Sequence, residues 1–477
     1  MKDGIVIFGA SSGGGKVADT FQSFGIPFRC FIDNAPEKWG TDFKGKKICS
    51  PEFLSEGDYG IVIASAHQNE IEEQLKEMGQ WPHFILKEDL IIPHLENILV
   101  GIDVADGKGL AEKEERARRI ILDLSEGVQL GGIETWTYVV ARELIKMGIN
   151  TEIFAKKTDM QPPGDIASCF TFYDLEYSSF KENVAELALE LVKRSPCSVI
   201  INKHTQLLYA AVLAKKIVGE ENISIISVIH NDEITLYRRQ QKIDDMTDAV
   251  CCVSRRICER LMKEFQVDST KLYYRESPVY AEEDTSFKRS YSEKITAPIK
   301  IGYAARLTKY QKRADLFPAF IEELEKKRIY YHLNIAGDGA YKEKIEHYVD
   351  SHNLGEKVSL PGRIPQHKIS EFWKGQDVFV SFSDFEGSSI SALEAMAQGA
   401  VPVETDVSGV EEFVGNGVNG FIVPLGDVKA IVEHIGWLEK NRGELKKMGW
   451  LARKKIIEQC NPSDYAKYIA GLCVIER

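Results

Sequence analysis

Short, almost continuously apolar runs recur along the chain, each followed by a loop or by a stretch whose apolar positions repeat with helical spacing. Runs of this kind bounded by turn residues read as buried strands, and their alternation with helical segments predicts parallel sheets joined by crossover helices. The first set is GIVIFG (4–9), a glycine-rich turn, a helix over 17–24, FRCFID (28–33) and YGIVIASA (59–66), which predict a small Rossmann-like domain over residues 1–95. The pattern then turns charged and irregular, ending in LAEKEERARR, and residues 96–118 are expected to be a linker. A second set follows: IILDL (120–124), a helix over 135–147, TEIFA (151–155), CSVIIN (197–202), ISIISVIH (223–230) and DAVCCVS (248–254). It predicts a domain over 119–292, with a hinge in the charged stretch at 287–292. The third, IKIGYAARL, YHLNIAGDG, KVSLPG, DVFVSFS and AVPVETD, predicts a domain over 293–460, and residues 461–477 read as a last helix crossing back to the second domain. The expected fold class is α/β: two Rossmann-like domains preceded by a third, small one.

Length fits this division, because 477 residues exceed a single core and suit about three domains. With 44% hydrophobic and 28% charged residues the composition is that of a globular protein. The net charge of −12 argues against nucleic acid, whose phosphates demand a clustered basic surface. The apolar run that opens MKDGIVIFGASSGGGK breaks at once into glycines, so it reads as neither signal peptide nor membrane span, and a cytoplasmic location is expected. Membrane contact would be peripheral at most, and nothing speaks to oligomeric state. The nine cysteines show no C-x-x-C pair or Cys/His spacing suited to zinc, so most read as small buried hydrophobes.

The most specific stretch is DFEGSSISALEAMAQGAVPV, where Glu386 and Glu394 stand eight residues apart across a Gly-Ser-Ser turn. A helix starting near Ser388 or Ser389 would offer unpaired N–H groups and its positive dipole end to an anion, with Glu386 just before it and Glu394 near its second turn. Taken alone, the two glutamates could equally be a loop residue and a helix-face carboxylate. The stretch as a whole resembles the donor-binding Glu-x7-Glu signature of retaining glycosyltransferase family four. The chain also resembles that family at YAARLTKYQKRADL, NIAGDGAYKEKIE, VSLPGRIPQHKISEFWKGQDV and VNGFIVPLGD, in matching order. The resemblance runs from about residue 119 to the end and implies the GT-B arrangement of two Rossmann-like domains with the active site in the cleft between them.

That resemblance implies roles. Glu386 would bond hydroxyls of the transferred sugar and Glu394 the ribose hydroxyls, while backbone amides around Gly387, Ser388, Ser389 and Ile390 would hold the donor. Arg306 and Lys312 would pair with the diphosphate, whose oxygens gain negative charge as the leaving group departs. The family commonly places its lysine where this chain has Gln311, so Arg313 and Lys309 stay open beside Lys312. Arg363 and Ile364 would wall the base, and Gly131-Gly132 sits where the family keeps a glycine-rich phosphate loop. His230, at a strand end, resembles the family's cleft histidine, with a core histidine as the alternative; His204 is a weaker candidate on the acceptor side. The reaction implied is retaining transfer of a hexose-type sugar from a nucleoside diphosphate sugar, UDP favoured, to a glycan, lipid-linked sugar or protein. No metal and no other cofactor is expected, since no Asp-x-Asp occurs.

In the first domain, GASSGGG approximates G-x-G-x-x-G through Gly9, Ser11 and Gly14, and Asp33 follows at the end of a strand, as in dinucleotide sites. Together with FIDNAPEKWG this segment resembles the Rossmann-like modules found beside bacterial sugar-modifying enzymes. A structural role and ligand binding are both open there. The competing functions are accordingly a nucleotide-dependent oxidoreductase or nucleotide- or sugar-binding module centred on residues 1–95, and a nucleotide-sugar epimerase on the same fold.

Overall fold

Strand-forming runs rich in Ile, Val and Phe assemble into three sheets in the computed structural model, which describes residues 2–65, 68–95, 98, 119–129, 131–173, 180–203, 206–282, 287, 289, 291 and 296–473. The expected linker thus lies outside the described residues except for residue 98, and so does His204.

The first sheet holds β1 (Ile5–Phe8), β2 (Phe31–Ile32), β3 (Asp42–Phe43), β4 (Lys46–Cys49) and β5 (Gly60–Ile63) in the order β3-β4-β2-β1-β5. All its pairs are parallel except the β3–β4 hairpin, whose two-residue turn places Lys44 and Gly45 at positive φ. Alternate residues feed opposite faces: Val6, Phe8, Ile32 and Ile61 enter one core, Ile7, Phe31 and Val62 the other.

The chain divides into two compact units, one of residues 1–118, 173–197 and 204–225 and the other of 119–172, 198–203 and 226–477. The first unit recruits two helices from mid-sequence, Phe180–Lys193 and Gln206–Val218. Phe180 meets Phe24 edge-on at 5.9 Å, at the end of the helix Ser12–Ser23, and meets Tyr209 at 5.7 Å.

A seven-stranded sheet has the order β12-β11-β10-β9-β6-β7-β8, where β6 is Arg119–Leu124, β7 Thr151–Lys156, β8 Phe170–Tyr173, β9 Cys197–Ile201, β10 Ile223–Ile229, β11 Ala249–Cys252 and β12 Leu272–Tyr274. Its core includes Ile120, Leu122, Trp136 and Val228 and takes in Tyr465, Ile469 and Leu472 of the last helix, Pro462–Cys473. Trp136 donates to the Tyr465 hydroxyl at 3.1 Å. The six-stranded sheet is parallel throughout, in the order β15-β14-β13-β16-β17-β18, with β13 Ile299–Ala304, β14 Tyr331–Ala336, β15 Val358–Gly362, β16 Val378–Ser381, β17 Val401–Thr405 and β18 Phe421–Val423. The α/β expectation holds in each sheet. Strand order reverses beside β6 and β9 in the seven-stranded sheet and beside β13 and β16 in the six-stranded one, so the loops following these four strands border crevices where doubly wound folds bind ligands.

Candidate active site

The loops after β13 and β16 meet in a polar cluster. Glu386, 5% exposed, pairs through Oε1 with the Lys312 ammonium and accepts from Gln311 Nε2 at 3.3 Å through Oε2. Gln311 also donates to the Phe385 carbonyl and accepts from Arg306 Nη2 at 3.3 Å, so one buried amide couples the exposed Arg306 to the glutamate. Arg313 is engaged with Asp315 at 3.2 Å and Asp384 at 3.1 Å, which leaves Lys312 as the cation against Glu386. Beside them lies Glu404 of β17; burial first, and then the negative charge of Glu386, push its carboxyl up to about 8 against the pull of Lys312.

Past the glutamate, Ser389 caps the helix Ile390–Ala397, its Oγ accepting from the Ala392 amide at 3.4 Å. The Ser388 Oγ is buried with no hydrogen-bond partner among the described residues. Glu394 follows one turn into the helix; no hydrogen bond or ion pair reaches its carboxylate among the described residues, and burial lifts it to about 8. It lines a cavity of about 650 Å³ together with Arg363, Tyr138, Arg142 and Gln398.

The seven-stranded sheet contributes from its own strand ends. His230 follows β10, and its Nε2 lies 3.0 Å from Asn202 Oδ1, the residue after β9. Asn202 in turn donates to the Asp123 carbonyl at 2.9 Å and to Thr137 Oγ1 at 3.1 Å. Burial, reinforced by the charge of Lys203, drives the imidazole down to about 3, so the ring is neutral and donates to Asn202 through Nε2. The two strand ends touch: the Asp232 amide donates to the Glu386 carbonyl at 3.1 Å, Asn231 and Gly387 form a bridge, and a Cβ on Gly387 would stand 2.1 Å from the His230 carbonyl oxygen. Gly131 precedes the helix Gly132–Lys146 in extended conformation, and a Cβ on Gly132 would meet Ile390 at 3.3 Å, so the glycine loop faces the helix that carries Glu394. Among the described residues no group of three or more His, Cys, Asp or Glu side chains is placed to hold a metal ion.

Family models match this part of the chain in two blocks, one described as Glycosyltransferase Family 4 over residues 130–276 and one as Glycosyl transferases group 1 over 284–455. The chain is a glycosyltransferase of the GT-B type. Its residues 1–83 match a third family, C2185-like, N-terminal. The glycosyltransferase is 26% identical over 306 residues to the N-acetyl-alpha-D-glucosaminyl L-malate synthase of Bacillus anthracis, a match spanning 60% of this chain and 77% of that one. It is 26% identical over 182 residues to the putative colanic acid biosynthesis glycosyltransferase WcaL of Escherichia coli, 37% of this chain but 45% of that relative's length. A structure of TarM from S. aureus, bound to fondaparinux, alpha-GlcNAc-glycerol and UDP, covers 74% of this glycosyltransferase and 99% of its own chain, with a TM-score of 0.61 at 14% identity.

The fold of the glycosyltransferase therefore brings Glu386, Gly387, Lys312, Arg306 and His230 to one place, with Gly131 and Gly132 against the adjoining helix that carries Glu394. Arg363 sits apart at the cavity rim, bonded to Asp338 Oδ2 at 3.1 Å, with Ile364 next to it in the chain. In the first unit Gly9 has φ +122 and Gly14 lies so close beneath it that an added Cβ would stand 1.8 Å from its carbonyl oxygen. Asp33 is taken up internally: it accepts from the Ala10 amide at 2.8 Å, Lys38 Nζ at 3.0 Å and the Ala35 amide at 3.0 Å. Burial opposes its ionisation, but these donors hold the carboxyl below its usual range. Ser11 precedes the helix without capping it. Three residues that sequence reasoning passed over complete the site. Gln311 was visible only as the departure from the family's lysine, Asn202 as the polar end of a strand, and Glu404 as a carboxylate in an otherwise apolar run.

Proposed function

We propose that this glycosyltransferase moves a hexose-type sugar, with retention and without a metal, from a UDP-sugar to a glycan, lipid-linked sugar or protein acceptor. The observation that carries the reading is the buried Lys312–Glu386 pair at the mouth of a helix N-terminus. A fixed cation there can hold the diphosphate, the carboxylate can hold a sugar hydroxyl, and the helix end and Arg306 add positive potential where charge develops on the leaving phosphate. Glu394, with no protein partner among the described residues, suits ribose hydroxyls. His230, neutral and oriented by Asn202, suits a hydrogen bond near the reacting carbon. In front-side displacement the bond from the anomeric carbon to the donor phosphate breaks as the acceptor oxygen bonds the same face, and the departing phosphate takes the acceptor proton. UDP is favoured as the carrier because the TarM structure holds it. N-acetylglucosamine donors deserve first trial, since the names of the B. anthracis relative and of the TarM ligand both contain that sugar.

The reading centred on residues 1–95 has less support, because Asp33, the residue a ribose would need, already serves Ala10, Ala35 and Lys38. The test is turnover of UDP-N-acetylglucosamine and UDP-glucose, as transfer or as slow hydrolysis, with the anomeric configuration of the product read by NMR. Lys312→Met is expected to slow turnover on the order of a hundredfold. Glu386→Gln should also slow it, while Glu394→Ala weakens UDP binding. Unchanged turnover in both the Lys312 and Glu386 variants would refute the assignment.

A further inference from the structure

Two buried polar groups in the cavity beside Glu394 have no hydrogen-bond partner among the described residues. Gln398 is 3% exposed and Tyr138 5%, both line the cavity, and neither Gln398 Oε1 nor the Tyr138 hydroxyl has a hydrogen-bond partner among the described residues. A folded chain rarely buries such atoms unpaired, because they forgo the water they bonded when unfolded. Gln398 follows the helix Ile390–Ala397 directly, one turn beyond Glu394 on the same side. The helix therefore presents, in order, its N-terminus at Ser389, then Glu394, then Gln398 about 6 Å farther along the axis. That sequence of anion site, carboxylate and amide runs in the same direction as phosphate, ribose and base in a nucleoside diphosphate. The lining also includes Val139, Val279 and Ile369, apolar side chains that suit the faces of a flat ring.

We propose that Gln398 and Tyr138 are the residues by which this enzyme recognises the nucleobase of its donor, the carboxamide and the phenol hydroxyl hydrogen-bonding the polar edge of the base. The assignment rests on the reading of Glu394 as the ribose contact. It also divides the labour of the cavity: Arg363 stands at the exposed rim, bonded to Asp338, whereas the two unpaired groups are buried and contributed by two different helices.

The side chains can be changed without disturbing what holds them. The Gln398 backbone carbonyl, not its amide, accepts from Arg289, and the Tyr138 ring packs against Phe170 at 6.2 Å, which phenylalanine would preserve. Calorimetric titration of the full-length chain with UDP and with inorganic pyrophosphate tests the proposal. Gln398→Leu and Tyr138→Phe should each weaken UDP about tenfold, leave pyrophosphate unchanged and narrow the preference among UDP, GDP and ADP. Gln398→Met serves the same purpose should the leucine variant fail to fold. Wild-type affinity for UDP in both variants would overturn the proposal, as would a rise in acceptor KM with UDP binding untouched, which would make the cavity an acceptor site. In either case loss of UDP binding by Glu394→Ala would leave the transferase reading standing. If the folded wild-type chain binds no nucleoside diphosphate, both readings fall together.

Discussion

Glu404 is a residue whose protonation departs from what its position in the sequence suggests. It lies within an apolar strand, next to the ion pair of Glu386 and Lys312, and its carboxyl stays protonated up to about 8 where 4.5 is ordinary. The sign of the consequence is fixed. Below pH 4.5 the folded and unfolded chains both hold the proton and no penalty arises; above it the unfolded chain releases the proton while the folded chain keeps it, so stability falls until about pH 8. Glu404→Gln removes that contribution, and the drop in urea midpoint between pH 5 and pH 8 is expected to shrink relative to wild type. Part of the drop should survive, because Glu394 is raised to about 8 by burial in the same way. An unaltered drop would mean that Glu404 is ionised in the folded state. The sequence could show that a carboxylate stood there, but not its burial, because protonation is decided by atoms distant in the chain.

At the scale of elements, what was legible followed from local chemistry. Gly-Ser-Ser ahead of an apolar, alanine-rich run marked a helix start at 388 or 389, and the structure places the cap at Ser389. Where tertiary contact decides, the sequence misled. The glycine-rich turn after the first strand predicts a helix only from 17, glycine being a poor helix former. The helix begins at Ser12 and takes in the glycines, one of which is required by tertiary contact: the turn after β1 lies so close that only glycine fits at position 14. The strand expected over 28–33 shrinks to Phe31–Ile32, and the β3–β4 hairpin was passed over although Lys44-Gly45 suits its turn. Gly387 belongs with Gly14: it permits the approach that joins the Glu386 loop to the end of β10. Gly387→Ala is therefore expected to push the 386–390 segment off His230 and to cost at least tenfold in turnover, with circular dichroism unchanged. Full activity in that variant would show that the approach is dispensable.

On the scale of the whole chain, sequence order and spatial grouping part company at residues 173–225. The segments Phe180–Lys193 and Gln206–Val218 lie in sequence between strands of the seven-stranded sheet, yet they group with the N-terminal sheet. Alternation along the chain reveals that a helix follows a strand; it does not reveal which layer the helix joins. The first unit then has a structural reason to exist apart from any ligand, because the helix Ser12–Ser23 and Phe24 cover Phe180 and its helix. A chain lacking residues 1–95 should melt well below the full-length protein and self-associate on heating, since the aromatic face at Phe180 loses its cover. The finer version is Phe24→Ala. An edge-to-face aromatic pair contributes about 1 kcal/mol beyond its buried area, so with the buried area lost as well the melting temperature of a unit of this size is expected to fall by at least about 2–4 °C. UDP affinity should be unchanged in that variant, because every residue assigned to the donor lies in the other unit. If Phe24→Ala melted like wild type while losing UDP, residues 1–95 would be acting on the donor site and not simply covering their own helices.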